Sequence, residues 1–234
     1  FVHYRPEILT LNNLEYDHAD IFPNLAAIET QFHHLVRTIP GNGTIISNGA
    51  DADLERVLSR GCWSQSQRYS MDDKHDWQVE AVKPDGSVLR FSFEGNDMGT
   101  LEWNQCGNHG AMNACTAIAA AYAAGVPART AIQALETYTG VKRRLELIAA
   151  SGGIRVYDDF AHHPTAIRLT LHGLRRKVGN ARILVALEPR SNTMRAGVHA
   201  DELGPALMPA DMVWMKTNDR SEEHTSELQS QFRI

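Results

Sequence analysis

The stretch that decides the fold is V-Y-D-D-F-A-H-H-P-T-A at residues 156–166. Residues 154–157 are apolar and rich in β-branched and aromatic side chains, so they read as a strand. Asp158 and Asp159 stand where that strand ends. Pro164 suits the first turn of a helix, where its missing N–H costs nothing. Ile167, Leu171 and Leu174 then mark one helical face as far as Lys177. Open α/β sheets bind ligands at such strand-to-helix corners, and this corner holds the carboxylates of Asp158 and Asp159 with the imidazoles of His162 and His163. The competing reading is a pair of N-capping aspartates and two solvated histidines. The density of polar groups beside a buried strand favours the ligand site.

Just upstream, Ser151-Gly152-Gly153 reads as a hairpin turn, and G-V-K-R-R-L-E at residues 140–146 puts paired arginines ahead of a strand. Such a pair is a forked donor set suited to phosphate, or else a solvated basic turn. Downstream, residues 182–187 form an apolar strand leading to E-P-R-S-N-T-M-R at residues 188–195. A helix over 200–207 and a strand over 212–215 follow. From residue 154 onward the pattern is β-α-β-α-β, as in a doubly wound, Rossmann-like sheet.

The first half alternates in the same way. Residues 8–11 form a strand that delivers N-N-L-E-Y-D-H-A-D, residues 12–20, onto a loop. Oxygen and imidazole ligands there suit a hard divalent cation near phosphate, or the loop caps the next helix. Apolar residues Leu25, Ile28, Phe32, Leu35 and Val36 give a helix over 25–36. A strand over 44–47 and a helix over 52–58, capped by Asp51 or Asn48, come next. Strands over 77–82, 88–93 and 100–103, joined by Pro84-Asp85-Gly86 and Gly95-Asn96-Asp97, form an antiparallel meander. G-N-H-G-A-M-N at residues 107–113 opens an Ala-rich helix to residue 124, and a second helix covers 128–137. Its amide side chains suit a base or ribose, or serve as caps. The fold class is α/β: a parallel sheet with helices and a small antiparallel meander, then a partial Rossmann-like region. The boundary falls near Leu145.

The 234 residues suffice for one large or two small domains, and an apolar share of 43% suits a globular core. A net charge of −5 without a Lys/Arg run argues against a nucleic-acid partner. Cys62, Cys106 and Cys115 have no C-x-x-C spacing, which fits reduced cytosolic thiols. The longest apolar run, residues 114–124, falls short of a membrane span. The chain opens at Phe1 without a Met, and R-S-E-E-H-T-S-E-L-Q-S at residues 220–230 looks like a translated sequencing adapter. Residues 220–234 are therefore set aside as a non-native tail, and the chain is read as a piece cut at both ends.

Taken in order, N-N-L-E-Y-D-H-A-D, G-N-H-G-A-M-N-A, G-V-K-R-R-L-E and Y-D-D-F-A-H-H-P-T-A resemble the signatures of the Mur ligase family of peptidoglycan synthesis. The resemblance covers nearly all of residues 1–219. It implies the later part of the ATP-binding central domain over 1–144 and the start of a peptide-binding C-terminal domain over 145–219. With E-P-R-S-N-T-M-R, the last signature most resembles the recycling branch, which joins UDP-N-acetylmuramate to L-alanyl-γ-D-glutamyl-meso-diaminopimelate. The alternative is the branch that adds L-alanine.

The family mechanism runs through an acyl phosphate made with ATP and Mg²⁺, in a cytoplasmic enzyme. The resemblance makes His18 a Mg²⁺ ligand and sends Arg144 to ATP phosphate, both in the catalytic machinery. It gives Asn113 and Asp159 nucleotide contacts, Asp159 at the ribose hydroxyls, with His162 beside it. Arg190, Ser191 and Asn192 would grip the peptide's carboxylates.

Three departures stand out. Gly110 follows His109 where the family usually has Asn. His33 and His34 occupy the region where several members carry a carbamylated lysine, so no carbamate is expected. There is no G-x-x-x-x-G-K-[ST] loop in the chain, so residues 1–219 alone are expected to be inactive. Two rivals remain: a metal-dependent hydrolase using Asp17-His18, Asp158-Asp159 and His162-His163 as a two-metal site, and a non-catalytic nucleotide-binding module.

Overall fold

Six strands form the larger sheet, in sequence order: β1 (Ile8–Leu11), β2 (Thr44–Asn48), β3 (Gln65–Ser70), β4 (Trp77–Ala81), β5 (Val88–Phe93) and β6 (Asn96–Glu102). The computed structural model describes residues 2–72, 75–189 and 191–216. The ladders from β1 to β4 are parallel, and those from β4 to β6 are antiparallel. Ile45 and Ile46, adjacent on β2, are both fully buried, on opposite sides of the sheet. A parallel strand covered by helices on both faces needs that pattern.

One face packs against α1 (Leu25–Val36) and α2 (Ala52–Ser59). Asn24 caps α1 and Asp51 caps α2. The predicted face Leu25, Ile28, Phe32, Leu35 and Val36 lies in this core. The opposite face packs against α3 (Gly107–Ala123) and α4 (Ala128–Glu136), through Ala111, Ala114, Cys115, Ile118, Ala119 and Ile132. Small side chains let α3 lie close on the sheet.

Beyond α4 the chain builds a separate core. β7 (Glu146–Ser151) and β8 (Ile154–Asp158) form an antiparallel hairpin. Gly152 and Gly153 turn it at φ of 57° and 80°, values that glycine adopts without strain. α5 (Pro164–Val178), β9 (Leu184–Leu187), the single turn α6 (Asn192–Arg195), α7 (Ala200–Leu207) and β10 (Met212–Met215) follow. Ile167, Leu171 and Leu174 pack on Ile183, Ala206 and Leu207, and β9 pairs with β10 in parallel.

Four expectations differ from this architecture. β3 was not foreseen. The third meander strand starts at Asn96 because the turn is the two-residue pair Glu94-Gly95, at φ of 49° and 79°, with Phe93 opposite Asn96. Such a left-handed pair matches the twist of hairpin strands. α5 is capped by His163 rather than by Asp158 or Asp159. β8 is laddered only to β7 among the described residues, so β8 and the β9–β10 pair are separate ladders rather than one β-α-β-α-β sheet. The Gly-Gly turn makes the local hairpin the pairing of shortest loop. The adapter-like residues 220–234 lie outside the described residues. Among the described residues, no helix is long and apolar enough to cross a membrane.

The two regions meet where α5 crosses the start of α3. A Cβ on Gly107 would come within 3.1 Å of the Gly173 Cα, so the helices touch through two bare backbones. Arg176 hydrogen-bonds Asn108 nearby, and Lys177 Nζ donates to the Asn104 carbonyl at 3.3 Å.

Candidate active site

The loop after β1 is pinned from below. The Tyr69 hydroxyl, which burial pushes up to about 12, stays protonated and donates to Asn12 Oδ1 at 3.1 Å. Leu14 N donates to Asp51 Oδ2 at 3.0 Å, so the cap of α2 also holds this loop. His18 follows with an exposed side chain and a left-handed backbone at φ 55°. Its N–H donates to Asp17 Oδ1 at 2.7 Å, and its carbonyl accepts from Ile21 N and Phe22 N at 2.8 and 2.9 Å. The alternative that this loop caps the next helix is not realised, because Asn24 does so.

The corner after β8 is built on Asp159. Its two oxygens accept from Leu145 N and Ala161 N, each at 2.7 Å. Phe160 N donates to the Arg143 carbonyl at 2.8 Å. The Arg143 and Arg144 guanidinium carbons lie 4.9 and 5.9 Å from the Phe160 ring centroid. Arg143 Nε also pairs with Asp158 Oδ2 at 3.3 Å. The paired arginines are thus seated on an aromatic face, and among the described residues Arg143 pairs with an acid while Arg144 does not. Each Asp159 oxygen keeps one lone pair beyond its amide bond, which suits a ribose hydroxyl.

His109, on the first turn of α3, belongs to the same corner. Burial holds its imidazole below the ordinary value, with Asp159 opposing and the Arg144 charge adding to the effect. Its Nδ1 is buried without a hydrogen-bond partner. Asn113 is exposed one helical turn further along the same face. The helix start itself has no side-chain cap, so the capping alternative for its amide residues is not realised.

Loop, corner and the 191–199 segment come together. His162 Nε2 lies 3.8 Å from Asp17 Oδ2, and His163 Nδ1 lies 3.2 Å from Glu15 Oε2. The His163 and His199 rings meet edge-on at 4.6 Å, and His199 Nε2 is 3.1 Å from the Tyr16 carbonyl. Asn192 Nδ2 donates to Asp20 Oδ2 at 3.2 Å. Ser191 Oγ accepts from Met194 N at 3.2 Å as the cap of α6. Arg190 lies outside the described residues.

Among the described residues, no group of three or more His, Cys, Asp or Glu side chains could hold a metal ion. The two-metal hydrolase reading needs such a group, and its Asp158 is paired with Arg143. Mg²⁺ usually takes one or two protein ligands together with phosphates and water, and the exposed His18 imidazole could supply one.

Residues 2–121 match the family model of the Mur ligase middle domain, and residues 143–233 match that of the Mur ligase glutamate ligase domain. The chain belongs to the Mur ligase family. It is 47% identical over 216 residues to the UDP-N-acetylmuramate–L-alanyl-γ-D-glutamyl-meso-2,6-diaminoheptandioate ligase of Haemophilus influenzae, covering 92% of this chain and 47% of that protein. Identity to the UDP-N-acetylmuramate–L-alanine ligase of Streptomyces coelicolor is 36%, covering 90% of this chain and 46% of that protein. The structure of a murein peptide ligase, Mpl, from Psychrobacter arcticus superposes with a TM-score of 0.65 at 46% identity, covering 92% of this chain and 44% of that one. The chain thus spans about half the length of the curated relatives it matches.

Within this Mur ligase chain, several residues of the junction escaped the sequence-based selection. Glu15, His163, Thr193 and His199 carry contacts between segments up to 183 residues apart. A single sequence offers no signal for such pairs. His163 was read as part of the corner with His162, but the resemblance gave a role to His162 alone.

Proposed function

We propose that these residues form the ATP-side and peptide-side parts of a ligase joining UDP-N-acetylmuramate to L-alanyl-γ-D-glutamyl-meso-diaminopimelate in peptidoglycan recycling. The observation that carries this reading is the junction itself. The loop bearing His18 lies against the Asp159–His163 corner, 3.2 to 3.8 Å away at Glu15 and Asp17, and is hydrogen-bonded to the segment containing Ser191 and Asn192. A ligase that activates one substrate with ATP and then admits an amine needs phosphate, metal and peptide sites side by side. The division falls near residue 145, with 1–144 as the ATP side and 145–219 as the start of the peptide side.

The muramate carboxylate takes the γ-phosphoryl group of ATP, and ADP leaves. The peptide's amine then attacks the acyl phosphate carbon, and phosphate departs from the tetrahedral intermediate. Arg144, held on Phe160, places positive charge at the phosphates, where charge develops in a low-dielectric cleft. Asp159 orients the ribose, Asn113 contacts the nucleotide, and His162 stands at the edge of that site. His18 would hold Mg²⁺, whose charge would neutralise phosphate oxygens. Arg190, Ser191 and Asn192 fix the peptide carboxylates. ATP and a nucleotide-sugar substrate place the reaction in the cytoplasm.

The test is a calorimetric titration of an intact ligase carrying these residues, with adenosine and with ATP, each with and without Mg²⁺. The ligase reading predicts that phosphates and Mg²⁺ together tighten binding by about 100-fold or more, as several charge-assisted contacts should. Equal affinity for adenosine and Mg²⁺-ATP would leave a nucleotide-binding module without phosphate chemistry.

A further inference from the structure

Thr193 stands in the middle of the 191–195 turn, yet it is one of the few buried polar residues, at 3% exposure. Its Oγ1 accepts from Ala19 N at 3.4 Å, across 174 residues of sequence. That bond ties the loop one residue past His18 to the 191–195 turn.

We propose that Thr193 is a positioning residue whose buried hydroxyl holds the loop at Ala19, immediately after His18, setting the metal-side loop and the peptide-side turn as one unit. His18 needs such a hold, because its left-handed backbone is an unfavourable conformation for a residue with a Cβ. The neighbouring tie from Asn192 to Asp20 is solvent-exposed and weak by comparison. Removing the Thr193 hydroxyl leaves the part-buried Ala19 amide without its partner. Seating a peptide on Ser191 and Asn192 then steadies the loop that carries His18, and loosening that turn weakens metal retention. The coupling rests on the proposed roles of Ser191, Asn192 and His18; the tie itself does not.

The experiment compares wild type, Thr193→Val and Thr193→Ser in an intact ligase carrying these residues. Amide hydrogen exchange over residues 17–20 is measured without substrates, and the Mg²⁺ concentration for half-maximal ADP release is measured with them. Thr193→Val, nearly isosteric but without the hydroxyl, should exchange about tenfold faster at Ala19 and need about five- to tenfold more Mg²⁺, as expected for one buried hydrogen bond. Thr193→Ser should stay within about twofold of wild type in both, because its hydroxyl is kept. Unchanged exchange in Thr193→Val, or an equal loss in Thr193→Ser, overturns the proposal. Should Thr193→Val not fold, Thr193→Ser decides alone: exchange at Ala19 or a Mg²⁺ requirement beyond about twofold of wild type overturns the proposal. Absence of ADP release by the wild type refutes the ligase reading alone, since exchange is read without substrates.

Discussion

His18 is held at φ 55° while its side chain reaches solvent. For a residue with a Cβ, that backbone costs about 1–2 kcal/mol, and no packing by the imidazole offsets it. Strain retained in a folded chain is a pointer to function. His18→Gly relieves the strain but adds freedom to the unfolded chain, worth about 0.5–1 kcal/mol, so the first effect is the larger. The urea midpoint of this variant is predicted to be unchanged or higher, while ADP release by the intact ligase falls by about 10- to 100-fold or more. A clear loss of stability with activity intact would mean that His18 is structural. Asp159 shows how much of a residue's role its motif leaves hidden. The resemblance pointed to ribose, whereas the structure shows a carboxylate that also ties the Arg143–Leu145 backbone to the corner through Leu145 N. Nothing in Y-D-D-F announces that second bond, because its partner lies 14 residues upstream.

Among the elements, α1 was legible because five apolar residues repeat at helical spacing, and all five reached the core. β3 was not, because Q-S-Q-R-Y-S has no apolar alternation. It is a strand because β2 and β4 flank it and supply both ladders, with Tyr69 alone of its large side chains fully buried. The β7–β8 hairpin was legible from Ser151-Gly152-Gly153, but β8 was read as a buried strand of one β-α-β-α-β sheet, whereas Ile154 and Val156 are exposed and β8 ladders to β7 apart from β9 and β10. Asp51 is the element-level link between fold and site, since it caps α2 through Asp53 N and Leu54 N and also holds Leu14 N. Asp51→Ala should cost about 1–2 kcal/mol, measured by urea unfolding, and should also speed amide exchange at Leu14. Loss of stability with unchanged exchange at Leu14 would confine Asp51 to its capping role.

Across the whole molecule, three hydrophobic cores are joined where α3 meets α5 and where the His18 loop meets the 162–163 and 191–199 segments. Individual motifs were legible as polar clusters and through their resemblance to a family, but their convergence depends on contacts across more than half the chain. Among the described residues, the core built from residue 145 onward is the smallest, and Ile154, Leu184 and Trp214 remain exposed around it. The central claim concerns the molecule as a unit: the His18 loop and the peptide-side turn serve a single ligation. It is tested most directly by ADP release from an intact ligase carrying these residues, given UDP-N-acetylmuramate and Mg²⁺ with either L-alanine or L-alanyl-γ-D-glutamyl-meso-diaminopimelate. The account predicts release with the tripeptide and none above background with L-alanine. Release with L-alanine alone would contradict it, moving the chain to the L-alanine-adding branch and removing the peptide role from Ser191 and Asn192.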